Sequence, residues 1–223
     1  MRSFITFFIA TFAIGLLVTC QEVPTDEHAS IGFMIGDVSL NNIDASVGMA
    51  VNQKDVIKTG KNSFCDIKIG KSLIRVKENS KLTFSELTKN NGIEQTVLGL
   101  KVGKMLCKPK KLMRSEKFMI KTATAVAGVR GTKFTVQADA KSNTLIKVFG
   151  GKVKIARRVK QLENNIDKVL EHADPVGKQE KVIITKKEVI QAEKVVARIL
   201  KRQAIKKVNE KMALTAVIKQ AKK

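Results

Sequence analysis

With 223 residues and 43% apolar content, the chain is long enough for one substantial domain with a real core plus an appendage. Its formal charge of +22 rests on 34 Lys against 8 Arg, a diffuse ammonium charge that favours anionic partners and excludes a reading built on bidentate guanidinium clamps. Trp and Tyr are absent, and four of the ten Phe fall in the first twelve residues. No aromatic–basic interleaving then offers stacking platforms, and nucleic acid is not an expected partner.

Arg2 precedes an apolar run from Phe4 to Val18. The run is too short for a comfortable membrane span and is followed by no stop-transfer signal, so residues 1–20 read as a secretory signal that the mature protein lacks. Leu17-Val18-Thr19-Cys20 resembles a bacterial lipobox, with Thr19 where Gly, Ala or Ser is usual, a looseness similar to that of spirochaetal lipoproteins. The resemblance implies diacylation of Cys20, palmitate included, and anchoring in the cell envelope as an outer-membrane lipoprotein, periplasm-facing or surface-exposed. Residues 21–32, with Pro24, Asp26, Glu27 and Ser30, read as a polar tether.

From residue 33 to 155 the pattern is β throughout. Eleven of the fourteen glycines fall in this window and separate short apolar runs. Cys65, Ile67 and Ile69 alternate with Asp66 and Lys68. Leu73 to Val76, Leu82 to Phe84, and Val97 to Leu106 with Gly103 inside it give further strands. Even spacing of this kind suits a roll or short solenoid. Lys108 to Arg114, with Pro109, interrupts the strands as a solvated basic loop.

The stretch from Thr122 to Val136 crowds small, β-branched and Gly residues around Arg130. It reads as strand, tight corner, strand, with Gly128 and Gly131 allowing positive φ or close approach. Val129-Arg130-Gly131-Thr132-Lys133-Phe134 resembles the V-R-G-T-x-F signature of FecR domains, supported by Thr122, Thr124, Thr144 to Val148, Gly151 and Val153. Sparser matches run back through Gly36-Asp37-Val38, Val47-Gly48, Val51, Asp55, Ile57, Thr59-Gly60 and Val102-Gly103-Lys104. The resemblance implies a FecR-like domain over residues 33–155 folded as a short right-handed β-solenoid or β-roll. Arg130 is expected to donate to backbone carbonyls inside that roll. Val129, Arg130, Gly131, Thr132 and Phe134 then form a fold signature and not an active site.

After Ile155 the period becomes helical, defining a basic C-terminal region of α-helices over residues 156–223. Val159, Leu162, Ile166, Val169 and Leu170 recur at helical spacing and stop at Asp174-Pro175. Val182-Ile183-Ile184 reads as a last strand. Thr185 and Glu188 have capping-box spacing and open a helix whose stripe is Val189, Val196, Ile199, Leu200, Val208, Met212 and Ile218. Residues 178–223 carry fourteen Lys and Arg against four Glu. A docking role on a partner or an anionic surface is expected of this amphipathic segment.

No catalytic constellation emerges. His28 and His172 lie in the tether and at a helix end, without the neighbours of a nucleophile–base pair or metal site, so no enzyme activity, metal or cofactor is expected. Cys65 and Cys107 leave two readings open, one disulfide in an oxidising envelope or two buried thiols.

The reading that follows is a lipid-anchored envelope protein whose FecR-type domain binds or scaffolds without catalysis. Its expected partners are the membrane itself, through the lipid, and an anionic lipid, acidic polysaccharide or envelope protein. The alternatives are a surface adhesin for acidic polymers and a FecR-like signal regulator. Such regulators resemble membrane-crossing partners of an iron-uptake receptor and a sigma factor. That architecture asks for an anti-sigma segment and an internal membrane helix that this chain is not expected to contain.

Overall fold

Asn and Gly residues at positive φ set the reversals that make this a sheet protein. Asn41-Asn42 and Asn91-Gly92 each place two consecutive residues there, as a tight two-residue hairpin turn demands. The computed structural model describes residues 29–220, with side chains described as far as Ile205 and at Lys207. The apolar run, Cys20, His28 and most of the expected tether lie outside the described residues.

The strands are β1 (Ala29–Ile35), β2 (Val38–Leu40), β3 (Ile43–Asp44), β4 (Val56–Thr59), β5 (Phe64–Ile69), β6 (Ser72–Val76), β7 (Ser80–Asn90) and β8 (Ile93–Lys108). They continue with β9 (Lys117–Lys121), β10 (Ala125–Val129), β11 (Lys133–Ala138), β12 (Thr144–Gly150) and β13 (Val153–Arg157). A 3-10 turn (Lys160–Asn165) leads into α1 (Ile166–Glu171), followed by β14 (Pro175–Val176), β15 (Lys181–Ile184) and α2 (Lys186–Gln220). β1 begins inside the expected tether, where Ala29 and Ile31 are buried.

One sheet path runs β14-β13-β10-β9-β8-β7-β4-β2-β3, and a second runs β1-β5-β6-β8-β11-β12-β15. The long β8 serves both. Its first part pairs with β7 and β9, and its last residues, from Gly103 on, pair with β6 and β11. Gly103 sits at the handover with φ +102°. Ile57, Leu82, Phe84 and Leu98 from the first sheet and Ile67, Ile74, Cys107 and Phe134 from the second join one buried cluster. The core therefore lies between the two sheets, and α1 seals a smaller cluster of Val97, Met119, Val126, Ile166 and Leu170 on the first sheet's outer side.

The chain is mainly β with C-terminal helices, but its ladders are not those of a solenoid or roll. Every pairing between named strands is antiparallel except β8 with β9. The physical reason is the tight turns: a two-residue reversal joins antiparallel neighbours, whereas stacked solenoid coils need a longer crossover to bring strands parallel. The sheet remains open, with β14 and β3 at the ends of one path and β1 and β15 at the ends of the other.

Cys65 and Cys107 are free and buried. β6 separates them, for Cys65 faces Val76 and Cys107 faces Ile74. Two strand spacings, roughly 10 Å, exceed the roughly 7 Å between Cα atoms that a disulfide spans, so the disulfide reading is overturned. Burial, with Asp66 adding to it, pushes the Cys65 thiol up to about 12, and burial pushes Cys107 higher still. The thiolate is the reactive form. Both thiols should therefore resist iodoacetamide in the folded chain and both alkylate in urea without reductant, as mass spectrometry will show.

At α2 the expected capping box forms. Thr185 N–H donates to Glu188 Oε2 at 2.8 Å and Glu188 N–H donates to Thr185 Oγ1 at 3.3 Å. The Thr185 N–H bond, with the Thr185 hydroxyl donating to the same oxygen at 3.0 Å behind it, holds the Glu188 carboxyl below the usual range. Val189 enters the core cluster, while Ile199 and Leu200 of the expected stripe are exposed. The side chains of Val208, Met212 and Ile218 lie outside the described ones.

Candidate functional site

The V-R-G-T corner is where the chain leaves the first sheet for the second. Val129 ends β10 and is buried, and Phe134 on β11 is fully buried. Between them Gly131 takes φ +67°, and a Cβ there would come within 2.9 Å of Lys111 Cα. Glycine is what lets the 109–116 loop lie across the corner. Thr132 is buried and donates to the Lys152 carbonyl at 2.8 Å, tying the corner to the β12–β13 hairpin.

Arg130 departs from expectation. Its side chain is exposed and makes one long bond, 3.4 Å, to the Met113 carbonyl. Lying at the surface, the guanidinium enters no buried network. A surface residue of this kind contributes little to stability. Arg130→Ala should leave the thermal midpoint within about 2 °C of wild type, checked by calorimetry.

Around Arg130 lies a cleft of about 720 Å³. Met119, Gly128, Val129 and Leu170 contribute apolar lining, and Arg114, Lys117, Arg130, Lys152 and Lys154 supply positive charge. A Cβ on Gly128 would meet Leu170 Cδ1 at 3.2 Å, so glycine here lets α1 pack closely on β10. Lys117 is engaged by Asp167 at 3.1 Å, and Lys154 donates to the Glu171 carbonyl. Arg114, Arg130 and Lys152 form no ion pair among the described residues. Asp167 and Glu171 line the same cleft, so its mouth carries both signs with the cations in excess; the three unpaired cations can meet a carboxylate-bearing ligand whose apolar part rests on Val129 and Leu170.

The loop wall is set by a buried ionic knot. Glu116, whose side chain is 1% exposed, accepts from Lys110 Nζ at 2.8 Å, and the same ammonium reaches Glu94 at 2.9 Å. Glu116 also accepts from Met113 N–H at 2.8 Å, and Lys110 N–H donates to Ser72 Oγ at 3.0 Å. The Lys110 bond, with the Met113 bond behind it, holds the Glu116 carboxyl below its usual range. The expected solvated loop thus carries one lysine that anchors it. Away from the cleft, Glu163 accepts from Lys121 at 2.8 Å and from Arg158 Nε at 3.1 Å, pinning the 3-10 turn to β9 and to the residue after β13.

The threonines flanking the motif meet in space. Thr144 Oγ1 lies 2.7 Å from both Thr122 Oγ1 and Thr124 Oγ1, and all three are buried. They link the β9–β10 turn to β12. No sequence period identifies such a cluster, because its members come from a turn and a distant strand. Among the described residues no group of His, Cys, Asp and Glu is placed to hold a metal ion, and no helix is long and apolar enough to cross a membrane.

Residues 55–154 match the family model described as FecR protein. The FecR match is a little under half of the chain, and it includes the loop, the corner and all three lysines of the cleft. No curated protein matches the chain. Two crystal structures of a candidate anti-sigma factor from Parabacteroides distasonis are similar at 14% identity with TM-score 0.45, covering 58% of this chain and 54% of theirs. The chain therefore spans about half the length of those solved chains.

Proposed function

We propose that this protein is a non-catalytic, FecR-like regulator of the cell envelope, whose basic cleft at the V-R-G-T corner receives an acidic segment of a partner protein. The FecR match at residues 55–154 carries this reading, since it takes in Arg114, Arg130 and Lys152 together with the corner that presents them. It supports regulation ahead of scaffolding. Attachment belongs to the same proposal: the apolar run ending at Leu17-Val18-Thr19-Cys20 supports acylation of Cys20, and two or more chains hold a protein stably where one is marginal.

The test is genetic. Deleting the gene should alter a defined set of transcripts, and the wild-type chain should restore it. The Arg130→Glu/Lys152→Glu double variant, accumulating to the same level, should not. A transcript profile indifferent to the deletion sinks the regulator reading, and a double variant that restores it sinks the cleft. Labelled palmitate absent from the wild-type chain would remove the anchor.

A further inference from the structure

The outer face of the second sheet is used neither by the cleft nor by α1. Directly opposed residues share a face, so the register defines a solvent-side row from Phe33 through Asp66, Arg75 and Leu106 to Lys147 and Lys181. Lys68, Leu73 and Lys108 form a second row, and Lys104, Gln137, Leu145 and Ile183 a third. Asp66 contributes the carboxylate in these rows, and Arg75 occupies it with bonds of 2.7 and 2.6 Å. Lys68, Lys104, Lys108, Lys147 and Lys181 are exposed and form no ion pair among the described residues.

Between these lysines stand apolar side chains that water covers poorly. Phe33 is 47%, Phe149 39% and Ile183 54% exposed. Arg75 lies 4.7 Å from the centroid of the Phe64 ring, and Lys147 lies 5.5 Å from that of Phe149. Cations beside rings, with Phe149 and Phe33 exposed, match a phospholipid interface, where the rings enter the headgroup boundary and the cations meet phosphates. A polysaccharide offers the charge but no apolar layer for Phe33 and Ile183.

The chain's own order favours the same occupant. β1 is an end strand of this sheet, and the apolar run Phe4 to Val18 precedes it by ten residues. Ten residues can reach at most roughly 35 Å. With an acyl chain on Cys20 in a bilayer, this face is held within reach of the surface.

We infer that the outer face of the β1–β15 sheet is a docking surface for an anionic phospholipid bilayer, laying the domain down on the membrane. The inference goes beyond the proposed regulatory role and is independent of the cleft.

The absence of Trp makes a single reporter clean. Full-length chain carrying Phe149→Trp, or Ser85→Trp on the other sheet, is mixed with vesicles of neutral or mixed neutral and anionic phospholipid containing brominated acyl chains. Quenching is expected at the Phe149→Trp reporter on anionic vesicles, with relief by salt, and little at Ser85→Trp. Adding Lys104→Gln, Lys147→Gln and Lys181→Gln, all on exposed positions, should shift the docked-to-undocked ratio roughly a hundredfold and abolish the signal. Equal quenching at both positions, equal quenching on neutral vesicles, or none at Phe149→Trp overturns the inference. A blue shift with heparin and none with anionic vesicles also overturns it, assigning the face to a soluble polyanion. A cleft variant such as Arg130→Glu leaves this readout unchanged, so the two proposals fail separately.

Discussion

Gly103→Ala lowers the thermal midpoint by about 8–16 °C, the largest single-residue effect expected in this chain. Two costs combine. At φ +102° a residue with a Cβ is strained by about 1–3 kcal/mol. The added methyl would also overlap Ser80 Cα and Oγ, a backbone neighbour that cannot rotate aside, and overpacking of that kind costs about 1–3 kcal/mol more. About 4 kcal/mol in all corresponds to that midpoint shift for a protein of this size. Ser80 is itself committed, since its hydroxyl accepts from Lys104 N–H at 3.0 Å and its N–H donates to Thr59 Oγ1 at 3.1 Å. Displacing it unfastens β7 where β8 passes between sheets. Calorimetry on Gly103→Ala, with Gly92→Ala as a positive-φ control that has open space around it, separates overlap from backbone strain. A midpoint drop no larger than that of the control would mean that β8 bends without needing the close approach.

Lys110→Met destabilises by about 3 kcal/mol, the lower end of the range for breaking a buried ion pair because the ammonium keeps some solvent contact. The variant leaves Glu116 buried against Glu94 without a cation. In the wild type the Glu116 carboxyl titrates below its ordinary 4.5. Its contribution is therefore complete above that value and is lost as pH falls through the lower folded-state value. In the variant the sign reverses: desolvation and the neighbouring carboxylate raise the Glu116 pKa, so the penalty is present at neutral pH and relieved by protonation in acid. The midpoint gap between wild type and Lys110→Met should narrow steadily from pH 7 to pH 4. Lys110→Met/Glu116→Gln should recover part of the loss at pH 7. A gap independent of pH would show that the knot is not what Lys110 supports. The same variant should loosen the 109–116 loop and weaken any ligand of the cleft it walls.

Local signals specified a good deal of this protein. The alternation at Cys65, Ile67 and Ile69 reports a strand because period-two patterning is a property of the strand itself. Thr185 and Glu188 report the start of α2 because both capping bonds close within four residues. The V-R-G-T-x-F run marks the corner, since a positive-φ glycine followed by a buried threonine and phenylalanine is a local requirement of the turn. Asn91-Gly92 carried a hairpin signal of equal strength, and it extends β7 to Asn90 and turns it back as β8.

Tertiary structure decided what depends on residues far apart in the chain. Whether strands stack parallel in a solenoid or pair antiparallel across two sheets is settled by which edges meet, and the alternation is identical in both cases. The fate of Cys65 and Cys107 rested on β6 coming between them, and the exposure of Arg130 on the corner lying at the surface between two sheets. Lys110 reads in the sequence as one more cation in a basic run, and only the folded chain brings Glu94 and Glu116 to it. Charge and apolar residues on the outer sheet face were likewise scattered along the chain until seven strands aligned them. Local geometry is written in neighbouring residues. Contacts between distant ones form only when the whole chain closes around its core.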